Sequence, residues 1–244
     1  MPLTFAIGDL HGRFDLLEAA LAAIEARAPG GTIVFLGDYV DRGPQSREVI
    51  ECLMAGPSAG WQWICLMGNH EAMLVELMKF PENRMSRFLA NGGRATLASY
   101  GAAAWDPDAP LPIPAAHIAW LSALPLMHVD LHRVYVHAAV DRWRPLHRQR
   151  EQTLLWDLYP DDDEGGHGDF HVVHGHQQVP VGPVLKKYRT NLDTFAWQSG
   201  RLVVGVFNDQ RPGWPVEFIE VGQDPRSRFC CVLGALIVVR IFLT

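Results

Sequence analysis

Cysteine is scarce in this sequence, with four residues among 244 and no CxxC pair. Small secreted scaffolds carry many cysteines, so this usage excludes a disulfide framework and favours reduced thiols inside a cytosolic protein. The four are Cys52, Cys65, Cys230 and Cys231. The first residues show no signal-peptide pattern, because a strand-like run begins at once. We therefore expect a cytoplasmic protein.

Positive charge is also in short supply. The chain has 21 Lys and Arg against 27 Asp and Glu, for a formal net charge of -6. A nucleic-acid backbone needs a broad basic surface, so this balance argues against a nucleic-acid partner. It is compatible with a phosphorylated substrate, because a local pair of arginines is enough to hold one phosphate group.

A long apolar run is missing until the end of the chain. The run at 229–239 has about eleven residues and would span roughly 16 Å as a helix. A bilayer-spanning helix needs about 20 apolar residues to cross a core of about 30 Å. We therefore predict no membrane span. We divide the chain into a main domain over 1–221 and an apolar tail over 222–244, whose role stays open.

Short apolar runs alternate with helical patterns in the first eighty residues. Strands are predicted over 3–7, 32–36 and 61–67, and helices over 14–28, 44–54 and 71–79. The stretch 81–125 is mainly helical. Later strands are predicted over 126–130, 134–137, 170–174, 184–188, 202–207 and 216–221. Three consecutive strand–turn–helix units indicate the α/β class.

Three of the early strands end at a glycine followed by a polar residue. Asp9, Asp38 and Asn69 hold these positions in the segments GDLHG, GDYVDRG and GNHE. Side chains at the carboxyl ends of strands gather at one edge of an open α/β sheet. His137 and His176 follow later apolar runs and can complete the set. Carboxylate, imidazole and amide ligands without thiolate suit Mn, Fe or Zn.

The order of these segments, continued by VHA and HGH, resembles the PPP-type metallophosphoesterases of the calcineurin-like family. The stretches NGGRATL and LDTFAW look like the bacterial and phage serine/threonine protein phosphatase branch of that family. The resemblance covers about residues 3–221, which implies that the domain 1–221 is the catalytic unit. It also implies an α/β fold with a central β-sandwich of mixed sheets, flanked by helices.

The resemblance further implies a site with two divalent metal ions, with Mn favoured over Fe or Zn. The implied ligands are Asp9, His11, Asp38, Asn69, His137 and His176. Asp38 would bridge both ions, because a carboxylate has two oxygens to share. Two ions about 3.5 Å apart lower the pKa of a shared water and clamp both the attacking and the leaving oxygen. A metal-activated hydroxide would then attack phosphorus in line.

Three further residues receive roles from the same resemblance. Arg42 would bind the substrate phosphate, since a guanidinium offers a planar, charge-assisted contact. His70 would protonate the leaving oxygen as a general acid, because an alkoxide leaves poorly. Asp41 would hold the His70 ring in position.

Two positions depart from the family pattern. Ala139 stands where the family usually has glycine, and Leu158 stands where related phosphatases often carry a second phosphate-binding arginine. Either Arg142, Arg144 or another arginine takes that role, or the phosphate is held by one arginine fewer. The loss of a charged contact would weaken transition-state binding by roughly 1.5–3 kcal/mol.

The leading functional interpretation is a serine/threonine protein phosphatase acting on a phosphoprotein or phosphopeptide. A symmetrical dinucleoside tetraphosphatase is the alternative, because the same metal frame serves both and variable loops select the substrate. A weakly active, phosphate-binding regulatory protein is an alternative of another class. Only Ala139 and Leu158 favour that last interpretation.

Overall fold

Two mixed β-sheets form the centre of the computed structural model, which describes residues 2–102, 110–222 and 238–241. Its strands are β1 Leu3–Ile7, β2 Gly31–Phe35, β3 Trp61–Cys65, β4 Met127–Val129, β5 Arg133–Val136, β6 His171–His174, β7 Val184–Leu185, β8 Arg189–Asn191, β9 Arg201–Asn208, β10 Glu217–Gly222 and β11 Val238–Ile241. The first sheet has the order β11-β10-β9-β1-β2-β3, and the second has the order β4-β5-β6-β8-β7.

Each sheet contains both parallel and antiparallel pairs. Strands β1, β2 and β3 run parallel to one another, whereas β9 is antiparallel to β1 and β10 is antiparallel to β9. In the second sheet β5, β6 and β8 are parallel, and β4 and β7 are antiparallel edge strands. The α/β sandwich of mixed sheets that the sequence implied is thereby confirmed.

Helices cover the outer faces of both sheets. They are α1 Phe14–Arg27, α2 Ser46–Ala55, α3 Asn69–Lys79, α4 Pro81–Ala90, α5 Gly93–Ser99, α6 Ala115–Ser122, α7 Glu151–Trp156 and α8 Ala196–Ser199. Side chains from α1 to α6 share one buried cluster with the first sheet. Leu154 of α7 packs with Val134 and Val172 on the outer face of the second sheet.

Alternating side chains of the central strands explain why the sheets are buried on both faces. In β2, Ile33 and Phe35 pack toward the helices, whereas Val34 points into the cluster between the sheets. Strand β1 repeats the pattern, with Phe5 on the helix side and Ala6 between the sheets. This is the two-residue period of a strand. Each large apolar side chain buried in this way stabilises the fold by about 1.5–3 kcal/mol.

Most predicted elements of the first eighty residues match the structure to within two residues, and one later region differs. A single strand was expected over 184–188, but the chain forms the short strand β7 and then β8 at Arg189–Asn191. The residues of β8 are polar yet buried, so the apolar pattern gave no sign of them.

The end of the chain contributes one strand to the first sheet. Strand β11 pairs with β10 in antiparallel register, with Glu217 opposite Ile241. Of the tail predicted over 222–244, Gly222 ends β10, and residues 223–237 and 242–244, with Cys230 and Cys231, lie outside the described residues. In the described part of the chain, no helix is long and apolar enough to cross a membrane.

Candidate active site

The predicted site residues come together at one edge of the sandwich. Strands β1, β2 and β3 are parallel, so the segments that follow them leave the first sheet at the same edge. Strands β5 and β6 of the second sheet run parallel to each other and end close to that edge, next to His137 and His176. All nine predicted residues are thus placed on five strand ends that converge.

The loops at this edge have unusual backbone conformations. Six non-glycine residues of the described chain have positive φ angles, and five of them are predicted site residues: His11, Asp38, Asp41, Arg42 and His176. A left-handed conformation costs a non-glycine residue about 1–2 kcal/mol, so the surrounding contacts must hold these loops in place.

Glu71 supplies a large part of that support. Its buried carboxylate accepts hydrogen bonds from the backbone N–H groups of Asp38 and Tyr39 at 2.8 Å, and from Gly68 at 2.9 Å. A fourth, from Val40, is 3.2 Å long. Burial and the Asp38 charge raise the pKa of Glu71 to about 7, although the hydrogen bonds from the backbone N–H groups lower it.

The turn before Asn69 packs closely against Asp38. A Cβ atom at Gly68 would lie 2.2 Å from the Asp38 nitrogen and 2.3 Å from its Oδ1. No side chain fits there, so the turn requires glycine. The same approach lets the His70 N–H donate to Asp38 Oδ1 at 3.0 Å. The loops after β2 and β3 therefore form one interlocked unit.

Backbone carbonyls fix the tautomers of three histidines. His11 Nδ1 lies 2.9 Å from the Val40 carbonyl, and His137 Nδ1 lies 2.9 Å from the Leu36 carbonyl. A carbonyl only accepts, so these nitrogens carry the protons and each Nε2 presents its lone pair to the ligand cluster. His176 is reversed, because its Nε2 faces the Trp156 carbonyl at 3.3 Å and its Nδ1 is free.

The histidines are also held neutral, as metal ligands must be. Burial lowers the pKa of His137 to about 4, and it lowers the pKa of His11 well below its usual range. Neutral imidazole nitrogens beside carboxylate oxygens are typical ligands for divalent transition metals.

Asp38 lies between two groups of ligand atoms. Its Oδ2 is 3.4 Å from His11 Nε2, and its Oδ1 is 3.4 Å from His137 Nε2. Two sets of three residues could each hold an ion. In each set, one ligand atom from each residue lies within 4.8 Å of the ligand atoms of the other two. The sets are His11, Asp38 and His70, and Asp38, His137 and His176. Asp38 is the shared member, which is the placement that a bridging ligand requires.

Asn69 provides a test of whether these residues fit a cation. The end of its side-chain amide lies 2.9 Å from His137 Nε2, 3.2 Å from His176 Nδ1 and 3.2 Å from both oxygens of Asp38. These partners are electron-pair donors, so the amide presents its nitrogen to them here, and a half-turn of the amide would present its oxygen to a cation. An amide, two imidazole nitrogens and a carboxylate at one point form a donor set that suits a divalent transition-metal ion, so the residues fit the metal site.

Asp9 stands next to these two sets rather than within either of them. The His176 N–H donates to Asp9 Oδ1 at 3.1 Å. Burial and the charges of Asp193 and Asp38 raise the pKa of Asp9 well above its usual range. Burial likewise raises the pKa of Asp193 to about 7, and its Oδ2 has no hydrogen-bond partner among the described residues. Buried carboxylates packed this closely favour a bound cation.

The predicted acid and phosphate-binding residues form a connected chain. His70 Nδ1 lies 2.7 Å from Asp41 Oδ2, and Thr96 Oγ1 donates to Asp41 Oδ1 at 2.6 Å. Burial acts to lower the pKa of His70, but the Asp38 and Asp41 carboxylates raise it above its usual value. The His70 Nε2 faces the ligand cluster, 3.1 Å from Arg42 Nη2 and 3.9 Å from Asp38 Oδ2.

The two departures from the family pattern have different consequences. Ala139 is buried and is absent from the residues with positive φ, so its methyl group adds no backbone strain. Leu158 is 61% exposed, just beyond α7. Arg142 forms an ion pair with Asp163, and Arg144 lies 3.3 Å from Asp141. Both candidate replacements are therefore already paired with acids.

Three residues outside the predicted site set support the site: Glu71, Thr96 and Asp193. Thr96 accepts from the Asp41 N–H at 2.9 Å and donates to the Asp41 carboxylate, so α5 fixes the loop of the acid pair. Each of the three lies inside a segment that carried the family resemblance, namely GNHE, NGGRATL and LDTFAW. The signal was present in the motif, but the predicted site residues that they contact are more than thirty positions away in the sequence.

Comparisons with known proteins agree with this geometry. The chain is 33% identical over 89 residues to serine/threonine-protein phosphatase 2 of Escherichia coli, covering 36% of this chain and 38% of that protein. It is 29% identical over 179 residues to a symmetrical bis(5'-nucleosyl)-tetraphosphatase of Klebsiella pneumoniae, covering 68% and 55%. The chain thus spans about a third to a half of these relatives' lengths.

A solved structure of a candidate diadenosine tetraphosphatase has the same fold, with 24% identity and a TM-score of 0.60 over 91% of this chain and 96% of that one. A family model described as calcineurin-like phosphoesterase matches residues 3–210. The resemblance to PPP-type phosphatases read from the motifs is thereby confirmed, and the chain belongs to the calcineurin-like phosphoesterase family.

Proposed function

We propose that this chain hydrolyses phosphomonoesters with two divalent ions, and that its substrates are phosphoserine and phosphothreonine in proteins. The observation that carries the proposal is the position of Asp38, shared by two sets of ligand atoms. The proposed metal ligands are Asp9, His11, Asp38, Asn69, His137 and His176. We favour Mn as the ion, and we propose a cytoplasmic location, where Cys52 and Cys65 would stay as the free thiols they are.

The ions, when bound, would supply Lewis-acid activation of water and neutralise the charge of the substrate phosphate. Asp38 would orient both of them through its two oxygens. Asn69 would contribute its amide oxygen, from a turn in which Gly68 packs closely against Asp38. The rigid loops reduce the rearrangement needed on binding.

Arg42 would bind the phosphate group. Its guanidinium lies 2.9 Å from His11 Nε2 and 3.1 Å from His70 Nε2, so it sits over the ligand cluster beside the acid. In the described part of the chain it has no acidic partner, and its charge is therefore available to a phosphate oxygen. A planar guanidinium gives a bidentate contact that fixes the phosphate for in-line attack.

His70 would deliver the proton to the leaving oxygen. Asp41 accepts from Nδ1, so the proton that His70 would transfer is the one on Nε2. The Asp38 and Asp41 carboxylates, which raise the pKa of His70, favour the protonated ring that an acid needs. Thr96 holds Asp41 in turn, so the ring is positioned through two successive short hydrogen bonds.

The protein phosphatase reading is supported by the 33% identity to the phosphatase of Escherichia coli. Hydrolysis of a symmetrical dinucleoside tetraphosphate is the second candidate, supported by the longer alignment of 179 residues with a tetraphosphatase. The test compares kcat/KM on a phosphothreonine peptide and on diadenosine tetraphosphate, with Mn added. Faster peptide hydrolysis is expected. Faster dinucleotide hydrolysis would contradict our choice of substrate, and no hydrolysis even of p-nitrophenyl phosphate would contradict enzymatic function.

A further inference from the structure

A groove of about 510 Å³ opens beside Arg42 and has no role in the proposed chemistry. Its wall includes Arg42, Asn91, Gly92, Arg94 and Trp197. Two guanidinium groups face this space, and no acidic side chain of the described residues lines it. The groove is therefore positively charged, and it is continuous with the group proposed to bind phosphate.

The groove is fixed to the phosphate-binding loop. The Arg42 N–H donates to the Gly92 carbonyl at 3.1 Å. A Cβ atom at Gly92 would lie 2.8 Å from the Arg42 nitrogen and Cγ, at a φ of 100°, so this position requires glycine. Helix α5, which begins after Gly92, is bound to the same loop through the hydrogen bond from Thr96 to Asp41. A substrate group in the groove would thus be held in a constant position relative to the scissile phosphate.

Arg94 is an exposed cation without a counter-charge among the described residues. Several other surface arginines are paired, such as Arg47 with Glu51 at 2.7 Å and Arg84 with Glu76 at 2.7 Å. Among the described residues, no acid forms an ion pair or hydrogen bond with Arg94. An arginine of this kind, next to a phosphate-binding arginine, is suited to hold an anion.

Trp197 forms another part of the groove wall. Its ring centroid is 5.8 Å from the Arg42 guanidinium carbon, and this cation–π contact favours the orientation of Arg42 seen here. Phe195 packs edge-on against the indole with centroids 5.0 Å apart. The ring therefore forms an apolar part of the wall beside the two cations.

We propose that this groove binds a second oxyanion group of the substrate, beside the phosphate that is hydrolysed, with Arg94 as its main contact. The inference rests on the proposed phosphoesterase function and specifies the substrate class. In a phosphoprotein the second oxyanion is the carboxylate of an Asp or Glu that flanks the phosphorylated residue. In a polyphosphate chain it is the next phosphate.

The test uses two phosphothreonine peptides that are identical except for Glu or Gln at the flanking positions. The full-length chain, Arg94→Gln and Arg94→Glu are assayed on both peptides, on diadenosine tetraphosphate and on p-nitrophenyl phosphate, which has no second anion. Arg211→Gln is the matched control. It changes an exposed arginine just beyond the end of β9 that is distant from the catalytic edge.

We expect the unmodified chain to prefer the Glu peptide by about three- to ten-fold in kcat/KM, as a partly exposed charged contact provides. The preference should disappear in Arg94→Gln and reverse in Arg94→Glu. Hydrolysis of p-nitrophenyl phosphate by Arg94→Gln should change by less than about two-fold, as should every activity of Arg211→Gln.

The other outcomes separate the two proposals. If neither peptide is hydrolysed but the dinucleotide is, the protein phosphatase proposal fails. The groove proposal then holds only if Arg94→Gln slows the dinucleotide by at least about three-fold relative to p-nitrophenyl phosphate. If the peptides are hydrolysed equally well and Arg94→Gln leaves all relative rates unchanged, the groove binds no second oxyanion and the inference is wrong.

Discussion

Replacing Glu71 by glutamine tests how the metal-binding loops are held. The carboxylate accepts from Asp38 and Gly68 through Oε2, and from Tyr39 and Val40 through Oε1. A glutamine has only one acceptor oxygen, and its NH₂ group would face two N–H donors in either orientation. Two buried backbone donors would lose their acceptor, at about 1–3 kcal/mol each.

The expected loss of unfolding free energy in Glu71→Gln is therefore about 2–6 kcal/mol. It is measured by urea denaturation of the metal-free protein. The Mn affinity, measured by calorimetry, should fall by roughly 10- to 100-fold, because the bonds to Glu71 fix the loop that carries Asp38. Glu76→Gln on the same helix is the control. Its partly exposed ion pair with Arg84 contributes under about 1 kcal/mol.

Two results would refute this reasoning. A Glu71→Gln variant as stable as Glu76→Gln would show that the N–H groups find other acceptors. A destabilised variant with unchanged Mn affinity would show that the loop around Asp38 keeps its conformation without these bonds, despite its φ of 55°.

Three further predictions concern separate parts of the site and fold. His70→Asn should lower kcat strongly on alkyl phosphates with near-normal metal content, and less on p-nitrophenyl phosphate, whose leaving group needs little protonation; equal losses on both would count against the acid role. Leu158→Arg should raise kcat/KM on phosphomonoesters, because the exposed side chain leaves space for a second phosphate contact; a lower rate would mean that another group already fills it. Burial, with Arg133, lowers the pKa of His171 to about 4. The unfolded chain therefore takes up the proton first, and stability should decrease as the pH falls from about 6.5 to 4. His171→Gln should reduce the decrease in unfolding free energy between pH 6.5 and 4, measured by urea denaturation, by up to about 3 kcal/mol. An unchanged decrease would contradict the lowered pKa of His171.

The metal ligands could be predicted from the sequence because each lies in a short local pattern. Glycine before Asp9, Asp38 and Asn69 marks a turn at the end of an apolar run, and parallel strands bring such turns together. The apolar runs that form β1 and β2, buried on both faces, are equally local. These features depend on a few neighbouring residues, so the sequence contains them directly.

The supporting contacts could not be predicted in the same way. Thr96 and Asp41 are 55 positions apart, and their hydrogen bonds exist only because α5 packs against the loop after β2. The strand at Arg189–Asn191 is polar on both faces, and its place in the second sheet is set by its neighbours. Such features depend on tertiary packing, which overrides local propensity.

The central claim is that Asp38 bridges two divalent ions that make phosphoester hydrolysis possible. Metal content by mass spectrometry of the purified chain, together with turnover of p-nitrophenyl phosphate, tests it most directly in the unmodified chain and in Asp38→Ala. We predict two ions per chain and turnover that returns when Mn is restored after chelation, and we predict that Asp38→Ala loses both metal and turnover. Full metal occupancy with normal turnover in Asp38→Ala would contradict this account.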